Sequence, residues 1–216
     1  YLKSRELAES AAERFQLGYA PPRWDTLLTW AAGKYKCDQL QAAGLVLAAA
    51  EQAAAGPTRY YDRFRHRLMF PIQDEQGRVV GFSGRIMAEE AGSAKYVNTP
   101  ETVLFHKGRV LYALHKARRA IADAREAIVC EGQIDVIRCH LAGFNNAVAA
   151  QGTAFTEEHA RMLKRYADSV VLVFDADRAG QDAALRAAEI FLQVGLTVRI
   201  AALPADADPD SLIRQA

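Results

Sequence analysis

The strongest structural signal in the sequence lies in Val170-Val171-Leu172-Val173-Phe174-Asp175-Ala176-Asp177-Arg178-Ala179-Gly180. Its first five residues are apolar and rich in β-branched types, which predicts a short strand buried on both faces. The strand ends in two carboxylates, Asp175 and Asp177, whose side chains point the same way if the backbone stays extended. Two like charges at one point favour a cation, and oxygen ligands favour Mg²⁺ or Mn²⁺. The alternative is that these acids simply begin a loop, as Asp often does where strands end.

Further short apolar runs flank this stretch and alternate with helical patterns. Strands are predicted at 127–130, 147–150 and 196–203, with helices at about 135–142, 157–166 and 181–194. This alternation predicts a parallel α/β sheet, in which the carboxyl ends of the strands form the ligand crevice. Glu131 follows the first strand, Asp208 and Asp210 follow the last, and Asp135 lies one helical turn past Glu131. The recurrence of acids at equivalent strand ends strengthens the metal hypothesis.

The charge of the chain is divided between its two parts. Residues 1–125 carry a net +6 and residues 126–216 a net −5, within a whole-chain charge of +1. Arg63, Arg65 and Arg67 would share one face if their segment were extended, and phosphates are natural partners for such a face. The alternative is a solvated edge strand, where charges prevent aggregation. A β-hairpin with its turn at 74–77 is predicted to follow, and a helix over residues 1–17 to precede.

The composition excludes several classes of protein. The three cysteines, Cys37, Cys130 and Cys139, are too widely spaced for a zinc knuckle and odd in number, so a reducing compartment is expected. No apolar run reaches transmembrane length, and no signal peptide is recognisable. The sequence therefore favours a cytoplasmic globular protein with a sizeable core and no membrane partner.

The chain resembles the catalytic core of bacterial DnaG-type primases, and its second half resembles the Toprim domain that primases share with topoisomerases. The Toprim signature is a Glu at one strand end and an Asp-x-Asp at a later one, which Glu131-Gly132-Gln133-Ile134-Asp135 and the stretch 175–180 match. Further motifs follow in the family's order. They are Tyr61-Asp62-Arg63-Phe64-Arg65-His66-Arg67-Leu68-Met69-Phe70-Pro71-Ile72, Gly81-Phe82-Ser83-Gly84-Arg85, Lys95-Tyr96-Val97-Asn98-Thr99-Pro100-Glu101-Thr102, Phe105-His106-Lys107-Gly108 and Asp208-Pro209-Asp210.

The chain departs from the family pattern at a few positions. Gln133 stands where the family has an aromatic residue, and Ser83, Ala113 and Ala176 stand in place of glycines. None of these changes removes a charge, so the resemblance implies that the chemistry is retained.

The resemblance implies an α/β protein with a basic α+β subdomain over residues 1–120 and a Toprim subdomain, Rossmann-like with a mainly parallel sheet, over residues 121–216. It implies metal-dependent, DNA-templated synthesis of short RNA primers, with Glu131, Asp175 and Asp177 catalytic and two or more Mg²⁺ or Mn²⁺ ions. The implied metal ligands are Glu131, Asp135, Asp175, Asp177, Asp208 and Asp210. The implied nucleotide and nucleic-acid ligands are Arg5, Arg63, Arg65, Arg67, Arg85, Lys95, Asn98 and Lys107.

The implied partners are a single-stranded DNA template, ribonucleoside triphosphates, the RNA–DNA product and a replicative helicase. A zinc-binding domain would precede Tyr1 and a helicase-binding domain would follow Ala216, so no zinc is expected within this segment. Two other functions stay open. One is another Toprim or Asp-x-Asp phosphotransfer enzyme, such as a phosphatase or nuclease, although a dehalogenase-type phosphatase would have Thr or Val where Ala179 stands. The other is a non-catalytic nucleic-acid-binding module.

Overall fold

A computed structural model describes residues 1–7, 9–49, 58–88, 92–152, 154–204 and 207–215 of the chain. The chain divides into two compact units by its internal contacts. The first unit comprises residues 1–71 and 80–106, and the second comprises residues 72–79 and 107–216. The predicted subdomain boundary after residue 120 stays a prediction.

The first unit combines short helices with two antiparallel sheets. The elements are α1 (Glu9–Arg14), β1 (Gly18–Ala20), α2 (Thr26–Ala31), α3 (Cys37–Ala42), β2 (Val46–Ala48), β3 (Tyr60–Asp62), β4 (Arg67–Gln73), β5 (Val79–Ile86) and β6 (Tyr96–Asn98). A four-stranded sheet has the order β1-β4-β5-β6, and β2 pairs with β3 in a separate two-stranded sheet. Leu40 and Val46 pack with Ala31 in a small core.

The predicted hairpin is formed by β4 and β5. The amide of Asp74 donates to the carbonyl of Arg78, and Gly77 adopts the positive φ that the turn requires. The Asp74 carboxylate accepts from the Arg78 side chain at 2.7 Å, which closes the turn. Glycine and a side-chain acceptor at these positions explain why the turn could be predicted from composition.

One expectation about the first unit is wrong, and the extended conformation considered for the arginine segment is not adopted. The arginine segment is not one extended strand, because β3 and β4 belong to different sheets and His66 between them has a φ of 51°. The predicted helix over residues 1–17 is replaced by a short 3₁₀ turn, Lys3–Arg5, and by α1. Glu6 takes a left-handed conformation with a φ of 52°, which ends the first turn.

The second unit is built on a parallel sheet, as the sequence predicts. The elements are α4 (Leu114–Ala124), β7 (Glu126–Cys130), α5 (Gln133–Leu141), β8 (Ala147–Ala149), α6 (Glu157–Lys164), β9 (Ser169–Val173), α7 (Arg178–Gln193), β10 (Thr197–Ile200) and α8 (Pro209–Gln215). A 3₁₀ turn, Lys107–Arg109, precedes them. The strand order is β10-β9-β7-β8, and Cys130 at the end of β7 is in register with Val173 at the end of β9.

The core of the second unit lies between this sheet and its helices. Val129, Val170 and Leu172 on the strands are fully buried, as are Ile121 and Phe191 on the helices. Burying each large apolar side chain of this kind stabilises the fold by roughly 1.5–3 kcal/mol. None of the described helices has the length and apolar content needed to cross a membrane.

Candidate active site

The carboxyl ends of β7 and β9 bring the predicted acidic residues to one edge of the second unit. Glu131 follows β7 and Asp175 follows β9, two neighbouring strands in register. The third acidic segment reaches the same edge because the amide of Ala176 donates to the carbonyl of Ala207 at 3.1 Å. The loop between Asp175 and Asp177 therefore lies against the residue that precedes Asp208.

The carboxylate of Asp135 is affected by the other acids at this edge. Asp135 lies in the first turn of α5, where its carboxylate accepts from the amide of Gly132 at 3.2 Å. Burial is the main cause that raises the pKa of Asp135 to about 7, and the charges of Asp175, Asp208 and Asp210 raise it further. Three separate segments of the chain thus contribute negative charge at one place, which a cation would neutralise.

Two of the predicted ligands also begin helices. One carboxylate oxygen of Asp177 accepts from the amide of Gly180 at 2.7 Å and caps α7. Asp208 does the same for α8 through the amide of Ser211 at 2.6 Å. The helix that was predicted to begin at residue 181 therefore begins at Arg178, because the second acid of the motif is its N-cap.

Gly180 fixes the backbone of the Asp175–Asp177 loop. A Cβ atom at this position would overlap the carbonyl group of Asp175, so only glycine allows α7 to start this close to the loop. The glycine is therefore needed for close approach and not for an unusual backbone conformation.

Asp210 has a different environment from the other acids. Its side chain is 1% exposed and accepts from Nε of Arg138 at 2.7 Å, while Nε of Arg214 lies 3.9 Å from its other oxygen. This ion pair joins α8 to α5. Asp210 as a metal ligand stays a prediction, and a metal would have to compete with two guanidinium groups for it.

The donor set at this edge consists of carboxylate oxygens, which are the ligands that Mg²⁺ and Mn²⁺ prefer. Burial raises the pKa of Asp135, and the charges of the neighbouring aspartates raise it further, which fits a site for a divalent cation. Within the part of the chain that is described, no three His, Cys, Asp or Glu side chains are assembled as a metal centre. The residues therefore fit a metal by their chemistry, without forming a closed coordination cage.

The first unit gathers the three arginines of the predicted phosphate-binding face around one cavity. Arg63, Arg65 and Arg67 line a space of about 470 Å³ together with Trp24 and His66. The convergence expected of an extended strand is thus reached by an irregular segment. A planar guanidinium is well suited to phosphate, and three of them at one cavity concentrate positive charge.

The three arginines have different contacts. Arg63 donates to the carbonyl of Asn98 at 3.2 and 3.0 Å, and burial lowers the pKa of its guanidinium. Arg65 donates to the carbonyl of Asp62 and lies 4.0 Å from the ring centroid of Trp24. Arg67 is 8% exposed and donates to the carbonyls of Gly84 and Ala94. Arg67 therefore holds β5 to the segment before β6, and as a phosphate ligand it stays a prediction.

The remaining predicted cations of the first unit lie on other segments. Arg5 and Arg85 approach the ring of Tyr1, with their guanidinium carbons 5.7 and 3.9 Å from its centroid. Lys95 is exposed, and the half-buried Asn98 ends β6. Their nucleic-acid contacts stay predictions, as do those of the three arginines.

Lys107 belongs to the second unit, where α6 holds its backbone. The hydroxyl of Thr156 donates to the carbonyl of Gly108 at 2.7 Å, and Nε2 of His159 donates to the carbonyl of Lys107 at 2.9 Å. Burial lowers the pKa of His159. Sequence reasoning missed this contact, because a partner some 50 residues away leaves no local pattern.

Sequence reasoning also missed other residues that lie beside the predicted site residues. Arg138 follows Asp135 by one helical turn, which is a signal that could have been used, whereas Trp24 beside Arg65 carries no local signal. Gln133, the departure from the family's aromatic residue, is buried and donates to Gln151 at 3.0 Å. Ala113, another departure, has a φ of 63°, a conformation that glycine adopts more easily.

Comparison with known proteins finds two family matches along the chain. Residues 1–118 match the family described as DNA primase catalytic core, N-terminal domain, and residues 128–213 match the family described as Toprim-like. The DNA primase of Synechococcus elongatus is 45% identical over 221 residues, covering 99% of this chain and 31% of that protein. A DNA primase domain from Pseudomonas aeruginosa superposes with a TM-score of 0.89 at 43% identity, covering 100% of this chain and 66% of that one. A DnaG primase catalytic domain bound to ssDNA superposes with a TM-score of 0.86 at 41% identity, again covering 100% of this chain and 66% of that one.

The fold and the acidic edge thus define a Toprim-like protein joined to a basic N-terminal unit. The chain belongs to the family of DNA primase catalytic cores, which confirms the resemblance inferred from its motifs. It spans about a third of the length of the relatives it matches. The phosphatase alternative loses its support, because the Asp-x-Asp motif lies within a Toprim-like match.

Proposed function

We propose that this chain is the catalytic core of a DNA primase, which synthesises short RNA primers on a single-stranded DNA template from ribonucleoside triphosphates. The observation that carries the proposal is that the ends of β7 and β9 and the segment before α8 bring acidic residues to one edge of the sheet. At this edge, burial raises the pKa of Asp135, and the charges of Asp175, Asp208 and Asp210 raise it further. A site of this kind suits phosphoryl chemistry with divalent cations, because the substrates are polyanions and the ligands are oxygens.

The acidic residues have the catalytic and metal-binding roles in this proposal. Glu131, Asp175 and Asp177 are the proposed catalytic acids. Asp135, Asp175, Asp177, Asp208 and Asp210 would hold two or more Mg²⁺ or Mn²⁺ ions, and Glu131 would serve as a further ligand or as the general base. Bound divalent ions supply positive charge that lowers the pKa of the attacking hydroxyl and stabilises the leaving pyrophosphate. Residues 121–216 form the metal-binding part in this scheme.

Residues 1–120 form the polyanion-binding part of the proposal. The guanidinium groups around the 470 Å³ cavity bind triphosphate or template backbone, and exposed Lys95 extends this surface. The proposed ligands are Arg5, Arg63, Arg65, Arg67, Arg85, Lys95, Asn98 and Lys107. Contacts of this kind are made mainly to phosphate, so they position nucleic acid without reading its sequence.

We further propose that the chain works in the cytoplasm, at the bacterial replication fork, because its template is chromosomal DNA. The replicative helicase would bind through a separate domain. A related DnaG catalytic domain has been solved with ssDNA, which supports a DNA template here.

The test is metal-dependent synthesis of oligoribonucleotides on single-stranded DNA, with Mn²⁺ binding measured in parallel. Asp175→Asn and Glu131→Gln are expected to lower the rate at least 100-fold, and Asp175→Asn to weaken Mn²⁺ binding. Asp182→Asn is the matched control, because it removes an exposed carboxylate from the same α7 helix. Unchanged synthesis in both site variants, with folding verified by circular dichroism, would refute the proposed catalytic site.

A further inference from the structure

The second unit has a cavity of its own, which opens beside Glu131. It has a volume of about 390 Å³, within the range of pockets that hold small molecules. Its walls come from the loops that follow β7, β8 and β9 and from one face of α7. The cavity therefore lies at the carboxyl edge of the sheet, where the proposed catalytic acid also lies.

The α7 wall combines small residues with a single cation. Ala183, Arg186, Ala187 and Ile190 line the cavity and follow the i, i+3, i+4, i+7 spacing of one helix face. The alanines leave room beside the helix, and the side chain of Arg186 is exposed. The opposite wall contains the rings of Phe155 and Phe174, whose centroids are 6.0 Å apart.

The cavity contains two opposite charges that are not engaged with each other. Among the described residues, neither Glu131 nor Arg186 takes part in a hydrogen bond or an ion pair, although the exposed arginines at 109, 125 and 161 each form one. An acid and a guanidinium at one apolar-walled cavity suit a ligand with one anionic group and one group that a carboxylate can bind or deprotonate.

We infer that this cavity holds the nucleotide whose 3′-hydroxyl attacks, that is, the end of the growing RNA, and that Arg186 binds its phosphodiester. This inference rests on the proposed function and deepens it. The described residues that line the cavity include a single guanidinium, and this favours the end of the RNA over the incoming triphosphate as the occupant. A phosphodiester carries a single negative charge, which one guanidinium balances, whereas a triphosphate carries several and suits the three arginines of the first unit.

The position of Glu131 fits the same occupant. The 3′-oxygen forms a bond to the α-phosphorus of the incoming nucleotide, and the bond from that phosphorus to the bridging oxygen breaks. Pyrophosphate leaves with the electron pair, and the hydroxyl proton passes to the carboxylate of Glu131. A base must lie within hydrogen-bond reach of the proton that it takes, so the nucleotide bearing the hydroxyl belongs beside Glu131.

The experiment is extension by one nucleotide of an oligoribonucleotide annealed to a DNA template. Wild type is compared with Arg186→Gln and Arg186→Lys, and Arg119→Gln is the control because Arg119 is an exposed arginine on another helix of the same unit. Each enzyme is tested with a normal primer and with one whose last internucleotide linkage is a neutral methylphosphonate.

Arg186→Gln is expected to raise the primer concentration for half-maximal extension roughly 10- to 100-fold, the usual cost of losing a charge-assisted hydrogen bond. The KM of the incoming triphosphate stays within about twofold, and Arg186→Lys recovers part of the loss, since a lysine retains the charge but not the planar fork. For the wild type, the methylphosphonate primer is expected to raise the concentration for half-maximal extension by a similar factor. For Arg186→Gln it should cause no further rise, because the substitution and the neutral linkage remove the same interaction.

Two results would overturn the inference. In one, Arg186→Gln raises the KM of the triphosphate and leaves the primer unaffected; in the other, it changes neither. If the wild type extends no primer, the proposed function fails, and fluorescence anisotropy with a labelled primer–template duplex still tests Arg186. Equal binding of that duplex by wild type and Arg186→Gln then refutes the inference, whereas weaker binding by the variant supports it.

Discussion

At the scale of single residues, the candidate active site depends on backbone positions as much as on charged groups. The loop that carries Asp175 lies against the start of α7, and Gly180 is the residue that permits this close approach. A methyl group there would have to displace the carbonyl group of Asp175, and backbone moves less readily than the end of a side chain.

Gly180→Ala is expected to lower the rate of primer synthesis at least 10-fold and the free energy of unfolding by about 1–3 kcal/mol. The cause is displacement of the Asp175 backbone, so Mn²⁺ binding should weaken in parallel. Gly18→Ala is the matched control, since a Cβ there meets only Cβ of Met69, at 3.9 Å. Activity and denaturant unfolding measure both effects, and a fully active Gly180→Ala variant would contradict this account.

His115 illustrates a titratable residue whose importance is for stability. Its Nδ1 is buried without a hydrogen-bond partner among the described residues, and burial, with the nearby charges of Lys116 and Arg118, lowers its pKa to about 4. An unfolded histidine titrates near 6.5, so between about pH 6.5 and 4 the unfolded chain takes up the proton and the folded chain does not. Stability is therefore lost as the pH falls through this window.

His115→Gln is expected to be less sensitive to acid than the wild type. Between pH 7.5 and 5 the wild type should lose roughly 1–2 kcal/mol more of its free energy of unfolding than the variant, since the variant has no proton to bind at this position. Denaturant unfolding at both pH values measures the difference. Parallel losses in the two proteins would show that His115 titrates normally in the folded state.

At the scale of secondary-structure elements, the α5–α8 contact places the last acidic segment. Arg138 and Asp210 form a buried ion pair 72 residues apart in sequence. Removing one member of such a pair leaves an uncompensated buried charge, which costs far more than removing both.

Arg138→Met is expected to lower the free energy of unfolding by about 2–5 kcal/mol, with the nearby Arg214 compensating part of the loss. The double variant Arg138→Met/Asp210→Leu should lose less than the single one. Arg161→Met is the control, because its pair with Glu157 has a similar length, 2.6 Å, but is exposed. A denaturant double-mutant cycle measures the coupling, and a double variant that loses the sum of both singles would rule out the pair.

The elements of the second unit could largely be predicted from the sequence, and those of the first unit only in part. Short β-branched runs followed by acids identify β7 and β9, because burial on both faces leaves a continuous apolar signal. The irregular backbone of the arginine segment could not be predicted, because periodicity cannot reveal that a histidine takes a positive φ. The Arg138–Asp210 pair also could not be predicted, since only the fold brings those residues together.

At the scale of the whole molecule, the two parts of the chain differ in charge, +6 against −5. If nucleic acid binds through the basic part, as proposed, counterions are released from the phosphate backbone and affinity falls as salt rises. The acidic part contributes no such attraction without divalent ions.

Lys95→Ala is expected to weaken binding of single-stranded DNA about equally for all sequences and to reduce the slope of log affinity against log salt by about 0.7, as for one phosphate contact. Fluorescence anisotropy from 50 to 300 mM salt measures the slope, and Arg119→Ala on α4 should leave it unchanged. An unaltered slope in Lys95→Ala would remove this lysine from the proposed interface.

The hairpin tip has a consequence for dissecting the chain. Residues 72–79 belong to the second unit, where Glu75 accepts from Arg165 at 2.5 Å and from the hydroxyl of Tyr166 at 2.8 Å. A fragment cut between the two family matches, after residue 118 and before residue 128, would leave both groups without their acceptor. The Toprim-like match therefore omits a segment of its own unit, residues 72–79, which lies some 50 residues upstream of the match. Shortened versions of this protein should keep that segment.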